Sequence, residues 1–118
     1  MDEKDEQVIY LIVRNDLKMG KGKIVAQCGH AVQYAVRACN ENLLKEYEMC
    51  DTPKICLKVD TFEQFKSLRN RLEQSKIAVF TVVDAGYTQV EPNTETCFAV
   101  GPASKLLMKD FIKELKLL

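Results

Sequence analysis

The chain carries no net charge. Its 17 basic side chains are matched by 17 acidic ones over 118 residues, so no whole-molecule field draws it to nucleic acid. Any such attraction must come from local clustering. It has no C-x-x-C pair, and its five cysteines (28, 39, 50, 56 and 97) are odd in number. That argues against a disulfide framework and for reduced thiols in a cytosolic compartment. No apolar run is long enough to cross a bilayer, so no membrane partner is expected. There is no internal repeat, low-complexity tract or linker. The first residues, Met1-Asp2-Glu3-Lys4-Asp5-Glu6, are acidic and polar, unlike a secretory or organellar targeting segment, and are expected to be flexible. A single domain over residues 1–118 follows from the length, with a composition ordinary for a globular protein.

Several motifs are missing as well. Lys23 is followed by Ile24 rather than a hydroxyl residue, and the glycines lack Walker A spacing, so a nucleotide-binding P-loop is poorly supported. No G-x-S-x-G elbow is present for a serine hydrolase. The one histidine, His30, lies two residues from Cys28; on a helix the two point apart, so no metal site and no metal cofactor are expected.

What the chain does have is Lys18-Met19-Gly20-Lys21-Gly22-Lys23, followed at once by Ile24-Val25-Ala26-Gln27-Cys28-Gly29-His30-Ala31. Three lysines and two glycines stand where an apolar strand (Val8 to Val13) hands over to a helix. Such a loop suits a polyanion, because the helix's first N–H groups and dipole add to the lysine charge. At about 100° per residue, Lys23, Gln27, His30 and Tyr34 form one stripe that should line a surface or cleft. Ile24, Cys28, Val32, Ala35 and Cys39 repeat on the core side.

The rest alternates between strand and helix patterns. The first helix is expected from Lys23 to about Cys39 or further, then a loop from Glu46 to Pro53 and a strand from Lys54 to Val59. Thr61-Phe62-Glu63-Gln64 has capping-box spacing and opens a helix with Phe65, Leu68 and Leu72 inward. Strands at Ile77–Val83 and Glu95–Val100 flank a turn-rich loop, and Gly101-Pro102 is expected to open the last helix. The order β-α-β-α-β-β-α predicts an α/β fold with an open, mixed, four-stranded sheet flanked by helices. Sites in such sheets gather at the loops leaving the carboxyl ends of strands. One such loop holds the lysines. The other begins Asp84-Ala85-Gly86-Tyr87-Thr88-Gln89, with Thr96 on the returning strand; a carboxylate, hydroxyls and an amide there could position a water and stabilise developing charge. Lys105, Lys109, Lys113 and Lys116 form a basic stripe on the last helix, opposite Leu107, Phe111 and Leu115. It contacts phosphates only if it borders the first loop.

Taken together, Lys-Met-Gly-Lys-Gly-Lys, Ala26-Gln27 with His30-Ala31, Asp84-Ala85-Gly86 with Thr88-Gln89, then Thr96, Gly101-Pro102 and the closing Leu115-Lys116-Leu117-Leu118 resemble the archaeal- and eukaryotic-type (type-2) peptidyl-tRNA hydrolase family from about Val8 to Leu118. The resemblance implies hydrolysis of the ester between peptide and tRNA, recycling tRNA from prematurely released chains, without metal or cofactor. It implies a cytoplasmic protein, with mitochondrial association if an N-terminal extension precedes this sequence, and a homodimer as one assembly. Catalytic roles fall on Lys23, Asp84, Thr88 and Thr96. Substrate contacts fall on Lys18, Lys21, Gln27, His30, Gln89, Lys105 and Lys109. The alternative is a catalytically inactive relative that binds RNA or a protein partner. Tyr87 stands where the family often has a basic residue, and Tyr47 to Thr52 lacks the tryptophan and glycine-glutamine pair expected there.

Overall fold

An unbroken run of β-branched and aliphatic residues makes Gln7–Arg14 the central strand β1, buried along nearly its whole length. Val8, Tyr10 and Ile12 point into one core, and Ile9, Leu11 and Val13 into the other. A strand covered on both faces needs apolar residues at every position, not at alternate ones. The computed structural model describes residues 5–86 and 90–118. Its further elements are α1 (Lys21–Arg37), α2 (Glu41–Met49), β2 (Lys54–Val59), α3 (Phe62–Gln74), β3 (Val79–Val83), β4 (Glu95–Ser104), α4 (Lys105–Ile112) and β5 (Lys116–Leu117). A short 3-10 turn, Asn15–Leu17, follows β1.

The sheet runs β3-β4-β1-β2-β5, with β1 and β2 parallel and the other pairs antiparallel. Ala31 and Ala35 of α1 and Tyr47 of α2 pack on one face; Phe65, Leu68 and Leu72 of α3 and Met108 of α4 pack on the other. The result is a helix–sheet–helix sandwich. The capping box of α3 is complete: Thr61 Oγ1 accepts from Gln64 N at 3.0 Å while Gln64 Oε1 accepts from Thr61 N at 3.2 Å.

Four features differ from the sequence expectation. The segment expected to be loop from Glu46 is helical to Met49, because Asn40 caps a new helix and Leu44 and Tyr47 face the core three residues apart. Gly101-Pro102 does not open a helix. It lies inside β4 with a cis peptide bond, at a register shift opposite Val8 and Tyr10. Gly101 has φ +113°, and a Cβ there would sit 2.5 Å from Val8 O, so glycine serves the strand's close approach. The last helix instead starts at Lys105, with Ser104 Oγ accepting from Leu107 N at 3.1 Å. It is also short: Lys113 and Lys116 lie beyond it, Leu107 is exposed, and Met108 is the residue it buries. Finally, Lys116–Leu117 pairs with β2 as a fifth strand. Ahead of β1, Asp5 accepts from Ser104 Oγ and Leu106 N, and Glu6 pairs with Lys105 at 3.6 Å.

Candidate active site

β1, β2 and β3 all run in one direction, so the lysine loop after β1 and the loop after β3 meet at the same end of the sheet. There Lys23, on the first turn of α1, donates from Nζ to Asp84 Oδ1, and Gly86 N donates to Asp84 Oδ2 at 2.8 Å. Asp84 is only 5% exposed and the Lys23 side chain 10%. The backbone of Asp84 is also fixed, its N–H donating to Thr94 O and its O accepting from Asn93 N, both at 2.8 Å. The hydrogen bond from Lys23 holds the carboxyl below its ordinary range; burial opposes this, and the Gly86 N–H assists. Gly86 itself has φ +86°, with Pro92 against the place a Cβ would take.

Thr96 completes the corner through an irregularity in β4. Val82 pairs with Cys97 but Val83 pairs with Glu95, leaving Thr96 as an extra residue. Regular alternation would turn Thr96 away from α1, since Cys97 already faces it. The bulge keeps it there: Thr96 Oγ1 donates to Gln27 Oε1 at 2.6 Å and lies 3.4 Å from Val82 O. Thr96 is fully buried and Gln27 nearly so. The bond from Thr96 fixes which end of the Gln27 amide is the acceptor, leaving its N–H donors on the other end. On the other face Glu95 is gripped by both terminal nitrogens of Arg69 at 2.9 and 3.1 Å, and its carbonyl accepts from Arg14 at 3.1 Å.

Of the remaining sequence candidates, Lys18 and Lys21 are exposed beside α1's N-terminus, Lys18 with a left-handed φ of 51°. Neither forms an ion pair among the described residues. His30 is exposed further along α1 and stacks on Tyr34 at 6.5 Å between ring centroids. Lys105 and Lys109 lie at the opposite end of β1, where Lys105 N meets Glu6 O at 2.9 Å, and so do not border the lysine loop. Thr88 and Gln89 lie outside the described residues. Arg14, not among the sequence candidates, is 9% exposed, bonds Asp16 at 2.7 Å and stacks over Phe62 at 4.2 Å. The signal was a lone charge closing an otherwise apolar strand.

Cys28 and Cys56 are held toward the protonated thiol. Cys56 donating to Cys28 lowers that thiol, but a bond with Cys97 and burial outweigh it and push it up to about 12; Cys56 is pushed up as well. Among the described residues no cluster of three His, Cys, Asp or Glu groups is placed to hold a metal. A cavity of about 660 Å³ between α4, β1 and β2, lined by Tyr10, Ile55, Leu57 and Ile112, does not touch the Lys23–Asp84 pair.

The family described as "Peptidyl-tRNA hydrolase PTH2" matches residues 7–118. "Peptidyl-tRNA hydrolase 2, mitochondrial" of Bos taurus is 38% identical over 99% of this chain and 67% of its own length. "Probable peptidyl-tRNA hydrolase 2" of Drosophila melanogaster is 38% identical over 97% of this chain and 63% of its own. The chain thus spans about two thirds of the length of these animal relatives. "Peptidyl-tRNA hydrolase" of Saccharolobus solfataricus is 39% identical over 92% of this chain and 96% of its own. Among solved structures, a protein of unknown function from Agrobacterium tumefaciens aligns with a TM-score of 0.65 over 93% of this chain and 96% of its own; at 13% identity it shows the fold alone.

Proposed function

The chain belongs to the peptidyl-tRNA hydrolase PTH2 family, and on that premise we propose that it hydrolyses the ester joining a peptide to the terminal ribose of tRNA. The observation that carries this reading is the Lys23–Asp84 pair at the strand ends, beside a helix N-terminus flanked by the exposed Lys18 and Lys21. A module that only bound RNA would gain nothing from a carboxylate there, because it repels phosphates. A hydrolase can use one to hold its attacking water.

Asp84 keeps lone pairs on both oxygens after bonding Lys23 and Gly86, and one of them orients the attacking water toward the ester carbon. Lys23 donates one of three N–H bonds to Asp84 and retains two. These reach the oxyanion as the tetrahedral intermediate forms, and the ribose oxygen as it leaves. Because Lys23 holds Asp84 ionised, the carboxylate is a weak base, and its first task is placing the water rather than stripping it fully. Thr96, without accessible surface, is a positioning residue that fixes Gln27 through its Oε1. Thr88 and Gln89 are assigned by family likeness to water and substrate contacts, and His30 to the flank of the acceptor end. Lys18, Lys21 and the first N–H groups of α1 take tRNA phosphates; Lys105 and Lys109, at the far end of the sheet, stand outside this contact.

The test is release of free tRNA from tRNA carrying a short N-blocked peptide, comparing the protein with Asp84→Ala. Release by the parent and its loss in a folded variant is the expected result. A folded parent that binds but does not cleave would make the protein a binding module.

A further inference from the structure

β3 is an edge strand, and nothing about its sequence protects it. Val79-Phe80-Thr81-Val82-Val83 contains no charge, proline or glycine, and the strand carries no bulge of its own, since the extra residue opposite it is on β4. Exposed edges of this kind pair with whatever extended chain is offered, and proteins normally blunt them with lysine, proline or brevity. The other edge of this sheet is blunted: β5 is two residues long and carries Lys116.

The open edge leads directly to the reacting groups. Asp84 follows Val83 without a break, and its own N–H and C=O point inward, to Thr94 and Asn93. In an antiparallel pair, inward- and outward-facing backbone groups alternate. The groups of Phe80 and Val82 therefore face β4, as the position of Val82 O near Thr96 agrees, and those of Val79, Thr81 and Val83 face out. Among the described residues no element pairs with that side.

We propose that the β3 edge is the binding site for the peptide part of the substrate, which adds to the sheet as a sixth, parallel strand. This rests on the hydrolase reading above. With the ester carbonyl at Lys23 and Asp84, the peptide's C-terminal residue lies beside Val83 and the chain runs back toward Val79, in the same direction as β3. Three outward-facing residues match the last three or four residues of the peptide. Main-chain bonds carry no sequence information, and the strand has no charged side chain that would select one. An enzyme that must accept any interrupted chain is suited by recognition of that kind. The cavity of about 220 Å³ lined by Phe80, Ala78, Ala35 and Leu43 is apolar on the same strand's far half and likewise imposes no charge.

The experiment compares kcat/KM for tRNA carrying one, two, three and five N-blocked residues. It repeats the series with the amide nitrogens next to the ester-linked residue methylated, and with Thr81→Pro, which deletes one outward N–H while sparing the ladder to β4. From one to three residues the value is expected to rise about tenfold, the worth of roughly two net main-chain hydrogen bonds, and then level off. Methylation and Thr81→Pro should each remove most of the gain, and altering peptide side chains should change little. Because the methylated substrates use the unaltered protein, a misfolded Thr81→Pro would not rescue the proposal. Equal rates at every length, or a length dependence indifferent to methylation, would overturn the edge site while leaving hydrolysis intact. So would a parent dimer that Thr81→Pro makes monomeric with its length dependence unchanged, since the edge would then join two copies. Failure to release tRNA from every substrate would instead overturn the hydrolase reading.

Discussion

Lys23 and Asp84 define each other. Replacing Lys23 by Ala removes the donor proposed to meet the developing oxyanion, and kcat/KM should fall about 10²- to 10³-fold, the usual cost of losing one such group. Near-normal turnover by a folded Lys23→Ala protein would refute the assignment. The same variant should show a second effect. Asp84, still nearly buried, loses the hydrogen bond that lowers its pKa and keeps the burial that raises it, so its carboxyl titration by NMR should move upward. In the parent the direction is opposite. A carboxyl that titrates lower when folded stabilises fully above its ordinary value of 3.8 and loses that contribution as pH falls through the folded value. The stability advantage of the parent over Asp84→Asn should therefore hold through pH 5 and shrink only in stronger acid, as read from urea midpoints across pH. A loss already complete near neutrality would mean the carboxyl is not held down.

At the level of single elements, α3 offers a clean test because it lies on the face away from Lys23. Thr61→Ala breaks the capping box and should cost about 1 kcal/mol with the denaturation slope unchanged. Activity should be retained. Gly101→Ala should cost more, roughly 2 kcal/mol or above, since it combines a disfavoured φ with a Cβ pressed on Val8 O. A smaller loss than Thr61→Ala would mean that β4 relaxes freely there. These two positions also mark how far the sequence could be read. The box at Thr61 and the strand Lys54–Val59 were legible to the residue, because their signals are local: a side chain bonding its own turn, or an apolar run between polar stops. Gly101-Pro102 departs from the helix-start expectation because proline at a helix start and proline within a bulged strand look alike until the partner strand is known. Asn40 as a cap was hidden by apolar spacing that runs on past the true end of α1 at Arg37. The site fared similarly. Lys23 stands out as the end of a glycine-lysine loop opening a helix, and Asp84 as the first residue after an apolar strand. That Thr96 would face Gln27 depended on a bulge set by the register between β3 and β4, which no local pattern encodes.

For the whole molecule, zero net charge puts all electrostatic attraction for RNA in patches. Replacing Lys18 and Lys21 together by Ala should reduce the slope of log affinity against log salt by about 2, one unit per phosphate contact. Replacing Lys105 and Lys109 together should change it by less than about 1, because they stand at the other end of the sheet and Lys105 already meets Glu6. Filter binding or anisotropy across salt concentrations would decide. A larger effect from the second pair would reverse the docking polarity.

The placing of β4 bears on the protein's own birth. β3 reaches β1 only through β4, so Asp84, 61 residues after Lys23, has no framework holding it against α1 until residues 95–104 exist. During translation this chain is itself tethered to a tRNA by the kind of bond the finished protein is proposed to cut. The proposed reactive pair can therefore close only after β4 has emerged, and until then the growing chain carries Lys23 and Asp84 apart.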